Sequence, residues 1–439
     1  MRSRRCGKED RRCEFSWKVG FSQIWAWSRI CGVADAAMAS QMRILGMWEF
    51  PQKRMVAVDA EAADADLRLQ KRSWLKRMLA NTVEYILCLA GLPCFLPSFA
   101  TVLMNTVAKI HRIQSIATGN IAIGKAQPIG VCYGRNGNNL PSAQDVVNFY
   151  KANGITNMRV YDPIAETLTA LKGSNIEIIV DIPNDNLQAL TDPNAAANWV
   201  NANIVAYSPD VKFKYINVGN EVSPSNVATS KFAPFLLPAL QNVQQAITKF
   251  QLQVKVSTAI ETGILTNTYP PSESVFRGDI SDFINPLIGF LKQNNLPVLA
   301  NIYPYFGYLG DPAHVPLPYA LFTQQNPDPS GYHNLFDAML DATYYAVEKA
   351  GGENLPIVVS ESGWPSAGGD GASIDNGGTY YTNLISHVKS GAGTPHKPGT
   401  AIETYLFAMF DENIKIGAET EKHFGVFHPD KTPKYNLKF

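Results

Sequence analysis

The sequence predicts an α/β protein: a single (β/α)8 barrel of the TIM type, preceded by an N-terminal extension of a different kind. Three observations predict it. Short apolar, β-branched runs recur eight times after residue 128. Stretches with helix start and stop signals lie between several of them. The charge balance also changes at that boundary. Residues 1–128 carry 19 Lys/Arg against 10 Asp/Glu, whereas 129–439 carry 19 against 28, an asymmetry hidden by a net charge of zero. Repeated alternation of strand and helix over about 310 residues is the pattern of a closed parallel barrel.

The strands read, in order, as 129–134 (IGVCYG), 157–162 (NMRVYD), 177–182 (EIIVDI), 213–222 (FKYINVGNEV), 254–260 (VKVSTAI), 297–303 (PVLANIY), 356–361 (PIVVSE) and 402–410 (IETYLFAMF). Near-continuous apolar runs of this kind are strands buried on both faces. Between them, 141–154 opens on Pro141 and Ser142, closes on Gly154 and carries an apolar stripe through Val146, Val147, Phe149 and Tyr150. Segments 194–207 and 334–352 repeat that design. An open doubly wound sheet would carry a G-x-G-x-x-G turn after its first strand, and GRNGNNLPS lacks that spacing.

The predicted division is therefore 1–127 as extension and 128–439 as the barrel domain. The extension is Arg-rich and is expected to be mostly disordered or removed. Within it, 85–107 (YILCLAGLPCFLPSFATVLMNTV) is a mostly apolar run long enough to span a bilayer. Pro93 and Pro97 weaken a spanning helix, while Lys71, Arg72, Lys76 and Arg77 before it and SFA within it fit a secretory signal, with Met78 as an alternative start. Membrane contact is expected only through this run, if it is not cleaved. Five of the six cysteines precede residue 129, so the barrel is expected to fold without an internal disulfide, around a buried Cys132. Its acidic balance excludes a nucleic-acid partner, whose phosphates need a basic surface. No His/Cys cluster has metal-ligand spacing, so neither a metal nor a cofactor is expected.

In such a barrel the site lies at the C-terminal ends of the strands, which turns a list of acids into a test. An acid at a strand end is ordinarily a solvated loop residue or a helix cap. Asp162, before a proline, and Asp181, before IPND, read that way. Glu221 and Glu361 differ, because each closes a long apolar strand in an uncharged context. Strands four and seven are expected on opposite sides of the ring, so these two acids can converge across its mouth. Two facing carboxylates are the minimum apparatus of glycoside hydrolysis, one protonated and one ionised. Aromatic residues at the rim suit the C–H faces of a sugar, and Tyr161, Tyr303, Tyr305, Phe306 and Trp364 are the candidate substrate-binding residues. The small Ser360, Ser362 and Gly363 are expected to leave room for the ring.

The motifs IGVCYG, NNLPS, RVYDP, NVGNEV, VKVSTAI, NIYPYF, VVSESGWPSAGG, ETYLFAMFDEN and HFGVFHPDKTPKYNLKF, in order from Ile129 to Phe439, resemble the plant β-1,3-glucanases of glycoside hydrolase family 17. The resemblance implies a retaining endo-hydrolase of 1,3-β-glucan, a monomer acting in plant defence or cell-wall glucan turnover. It assigns Glu221 as acid/base and Glu361 as nucleophile, with Asn220, Glu412, Lys415 and Glu421 in support. Read from the sequence alone, Lys415 and Glu421 are solvated loop charges, so their role rests on the resemblance. The chain stops at Phe439 without the sorting tail of some members, which implies secretion to the cell-wall space rather than the vacuole. It carries no N-x-Ser/Thr sequon, so N-glycosylation is not expected. The alternatives are a 1,3;1,4-β-glucanase on the same scaffold and a catalytically silent glucan-binding defence protein.

Overall fold

The computed structural model describes residues 129–439. The expectations for the extension, including the 85–107 run, lie outside the described residues. Eight strands form one closed parallel barrel. In chain order they are β1 (Gly130–Tyr133), β2 (Asn157–Val160), β3 (Glu177–Ile182), β4 (Lys212–Asn220), β5 (Lys255–Glu261), β6 (Val298–Asn301), β7 (Ile357–Ser362) and β8 (Thr404–Leu406). Each pairs with its sequence neighbour, and β1 closes the ring against β8. All eight fall within a residue or two of the sequence reading except β8. That strand ends early because Ala408 donates instead to the Phe424 carbonyl, outside the ring, although Met409 still donates to Cys132 of β1.

Among the described residues, seven helices cover the ring: α1 (Ala143–Ala152), α2 (Ala165–Leu171), α3 (Pro193–Asn203), α4 (Ala233–Lys249), α5 (Ser281–Gln293), α6 (Leu335–Lys349) and α7 (Ile374–Ser390), with two further short ones, Pro304–Gly310 and Leu317–Ala320, between β6 and α6. Their starts are written locally. Ser142, Asp192, Asn334 and Ser373 each accept a hydrogen bond from a first-turn backbone N–H. Where an eighth helix would follow β8, the chain runs to the C-terminus with only a short 3₁₀ turn at Glu419–Lys422. No helix among the described residues is long and apolar enough to cross a membrane.

Cys132 is fully buried, and burial pushes its thiol well above the usual cysteine range, so it is inert packing. The lower end of the barrel is closed by polar pairing. Lys214 lies 3.0 Å from both Glu177 and Glu403, and the Tyr215 and Tyr405 hydroxyls donate to Glu403. The upper end is left open, and there the strand ends surround a cleft of about 920 Å³.

Candidate active site

Glu361 sits near the end of β7 and is 6% exposed. Three donors hold its carboxylate. Arg159 Nη1 and the Tyr161 hydroxyl each donate to Oε1 at 2.8 Å, and the Tyr303 hydroxyl donates to Oε2 at 2.6 Å. Burial raises both phenols far above their ordinary range, so they stay protonated and donate.

Glu221 follows the last residue of β4, where a register shift against β5 re-aims the chain. Gly219 takes φ +70° and Glu221 itself φ +54°. A glutamate in the left-handed region costs about 1–3 kcal/mol and persists only where neighbours over-determine it. Two do so here: its N–H donates to the Ala259 carbonyl at 2.9 Å and its own carbonyl accepts from Thr229 Oγ1 at 2.8 Å. The carboxylate accepts from Asn301 Nδ2 at 2.7 Å. Burial first, and then the charge of Glu361, push its pKa up to about 7. The two acids thus have unlike environments: Glu361 has a cation and two phenols, whereas Glu221 has one amide.

The ring order places β4 and β7 three positions apart, with β5 and β6 between them, so that their ends face each other across the mouth. That spacing gives Asn301, at the end of β6, its place between the two acids. Its Nδ2 reaches Glu221, while its Oδ1 accepts from Arg159 Nη1 at 3.2 Å and from Ser360 Oγ at 2.8 Å.

Asn220 Oδ1 accepts from Arg159 Nη2 at 2.9 Å and from Asn301 Nδ2 at 3.2 Å. Its own Nδ2 makes no hydrogen bond among the described residues, and the side chain lines the cleft. Glu412 is 3% exposed and accepts from the Asn136 N–H at 2.7 Å. Burial raises its pKa, and Lys415 opposes that. Gly134 makes room for it, since a Cβ there would lie 2.4 Å from its carboxylate oxygens. Lys415 Nζ lies 3.0 Å from Glu421 and 3.9 Å from Glu412, and 4.2 Å from the centre of the Phe407 ring. All three line the cleft, so Lys415 and Glu421 are not the free loop charges that the residues alone suggested.

Of the five aromatic candidates, Tyr161, Tyr303 and Phe306 line the cleft. Tyr305 and Trp364 do not, and both are fully buried. Trp364 packs edge-on to Tyr305 with 5.1 Å between ring centres, leans on Tyr380 and donates its indole N–H to the Gly371 carbonyl at 2.9 Å. The expectation that these two rings wall the site is corrected, because beyond the strand end the two-residue alternation no longer tells which way a side chain points. Trp364→Ala is therefore expected to destabilise the fold by about 3–5 kcal/mol, read as a lower urea midpoint. The small neighbours of Glu361 are corrected as well. Ser362 Oγ contacts the Ile302 carbonyl at 2.7 Å and the Tyr380 hydroxyl at 2.6 Å, and a Cβ at Gly363 would lie 2.3 Å from the Phe407 carbonyl. They allow close packing beneath the site, not space within it.

The sequence reading passed over Arg159 and Asn301 and took Asp181 for a turn or cap residue. Arg159 had a signal: one arginine inside the apolar run NMRVYD, on a strand due to be buried on both faces. It is fully buried and spends its guanidinium on Asp181, Glu361, Asn220 and Asn301. Arg159→Met would leave two buried carboxylates without their cation. A loss of about 3–5 kcal/mol in stability is expected, measured by denaturant unfolding.

A parallel barrel whose strand ends hold two acids of unlike environment over an open cleft has the layout of a glycoside hydrolase. The chain belongs to glycosyl hydrolases family 17, whose model matches residues 129–439. It is similar to a glucan endo-1,3-β-glucosidase of Nicotiana tabacum, acidic isoform GI9, at 63% identity over 316 residues, covering 72% of this chain and 92% of the relative. It is 59% identical over 321 residues to glucan endo-1,3-β-glucosidase A of Solanum lycopersicum, covering 73% and 95%. Among solved structures, a β-1,3-glucanase and allergen of Cryptomeria japonica pollen is 47% identical with a TM-score of 0.69, over 71% of this chain and 99% of that one. A plant β-glucan endohydrolase is 44% identical with a TM-score of 0.67, over 71% and 100%.

Proposed function

We propose that the protein is an endo-1,3-β-glucanase that cleaves internal linkages of 1,3-β-glucans by double displacement. The observation that carries the mechanism is the difference between the two carboxyls. Glu221, with a pKa of about 7, holds a proton below neutrality and can give it to the leaving glycosidic oxygen. Glu361, beside Arg159, is the nucleophile. In the first step its oxygen forms the bond to the anomeric carbon as the bond to the leaving oxygen breaks, and the Glu221 proton passes to that oxygen. In the second step Glu221, now a carboxylate, takes a proton from water, whose oxygen attacks the same carbon and releases Glu361. Two inversions leave the β configuration.

The supporting residues follow from position. Asn220, with its free Nδ2 at the cleft, is placed to bind a hydroxyl of the reacting sugar, and Tyr161, Tyr303 and Phe306 offer rings to sugar faces. Glu412, Lys415 and Glu421 hold charge at the rim and can hydrogen-bond further hydroxyls. The substrate preference is supported by the names of the relatives at 63% and 59% identity. Hydrolysis of laminarin and of barley mixed-linkage glucan, run side by side, tests it. Rapid laminarin cleavage to short oligosaccharides with little action on mixed-linkage glucan is expected, and the reverse preference would overturn it. Action outside the cell, on fungal-wall glucan or callose, belongs to the same reading and is supported by the signal-like run before the barrel. N-terminal sequencing of protein recovered from the extracellular fluid checks it.

A further inference from the structure

Asp181 belongs to no part of the mechanism above, yet it is an acid only 2% exposed at the floor of the site. It lies near the end of β3 and meets Arg159 through both oxygens, Oδ1 from Nε at 3.2 Å and Oδ2 from Nη2 at 2.6 Å. This two-point contact fixes the plane of the guanidinium. The opposite edge of that plane then presents Nη1 to Glu361 at 2.8 Å and Nη2 to Asn220 at 2.9 Å. Asn217 Nδ2 donates to Asp181 Oδ2 at 2.8 Å and steadies it from the next strand. Asp181 itself does not line the cleft.

We propose that Asp181 is a positioning residue that cancels the Arg159 charge, so that the proton stays on Glu221 and Glu361 remains nucleophilic. This inference rests on the assignment of Glu221 and Glu361 above. The charge count shows why it follows. The buried floor holds Arg159 against Asp181 and Glu361, with Glu221 neutral. Remove the Asp181 charge and Arg159 faces Glu361 alone, and the field at Glu221 becomes more positive. A more positive field favours the carboxylate over the acid. Arg159 already acts in that direction on Glu221, while Glu361 and Glu261 act against it. The other titratable groups facing the site do not replace Asp181. Tyr161 and Tyr303 are held protonated, Cys132 is a buried thiol, Arg135 pairs with Asp162 at 3.3 Å, and Lys415 lies between Glu421 and Glu412. Burial raises the Asp181 pKa, and Arg159 and Asn217 oppose that; both its oxygens accept hydrogen bonds from these donors, the geometry of a carboxylate against its cation.

The test is Asp181→Asn, with Asp181→Ser made alongside so that misfolding of one variant does not leave the effect unmeasured. Two readouts are needed. On laminarin, kcat is expected to fall about 10- to 100-fold with little change in KM, and the alkaline limb of kcat/KM to move down by about one pH unit. By carboxyl ¹³C NMR, assigned with Glu221→Gln, the Glu221 titration is expected to move down by the same amount, which needs no turnover. If the Glu221 titration and the alkaline limb are unmoved in folded Asp181→Asn or Asp181→Ser, the inference is wrong. If the wild type does not cleave laminarin, the catalytic reading fails, and the NMR shift still judges the charge balance.

Discussion

Glu361→Ala is expected to abolish laminarin hydrolysis, with a fall in kcat on the order of 10⁴-fold or more. The size follows from what is removed. Without the carboxylate no covalent intermediate forms, and water cannot occupy the space at the same distance and in the same charge state. The loss is not one of folding, which the thermal melt of the variant checks, although Arg159 loses one of its two anions. Azide, small and anionic, fits beside Arg159 in the space vacated. It is expected to restore turnover on a substrate with a good leaving group and to give a glycosyl azide of α configuration, since only one inversion then occurs. Unchanged hydrolysis in Glu361→Ala would remove Glu361 from the reaction.

Glu221→Gln is expected to cost about 10²- to 10⁴-fold on the polymer, the range of a lost general acid. The loss depends on the leaving group, because a glucan hydroxyl needs protonation and an activated aryl group does not. With an aryl β-glucan oligosaccharide the first step is therefore largely spared, and the second step becomes limiting for want of a base. The wild-type pH profile gives the same assignment without a mutation. Glu221 must be protonated to act, and burial together with Glu361 hold its pKa at about 7. As pH rises through that value the acid form is lost, so kcat/KM should fall along an alkaline limb centred near 7. The limb should disappear in Glu221→Gln.

These predictions rest on residues of very different legibility. The eight strands were readable because each is a short apolar run bounded by turn residues. The two acids stood out because each closes such a run. What lies beneath them was harder to read. Arg159 and Asp181 are single charges on separate strands, and their pairing exists only because β2 and β3 are neighbours with Arg159 set beside Ile179 in register. Asp181 before IPND looked like a cap, because a cap and a buried counter-ion have the same local sequence. Asn301 is one polar break in an apolar strand, and its meaning depends on β6 lying between the strands that carry the two acids. Trp364 failed for the opposite reason. Its place three residues after Glu361 was clear, but the turn after β7 sends the ring into the helix layer against Tyr380. Local pattern thus located the chemistry, while the partners that tune it needed the closed ring.

The most direct measurement is to trap the intermediate. A laminari-oligosaccharide with fluorine at C2 of the reacting sugar and a good leaving group at C1 slows breakdown of the covalent species more than its formation. Digestion and peptide mass mapping then locate the sugar. The account predicts one adduct, on the peptide that contains VVSESGWPS, with fragmentation placing it on Glu361. An adduct on Glu221, or an initial laminarin product of α configuration by ¹H NMR, would contradict it.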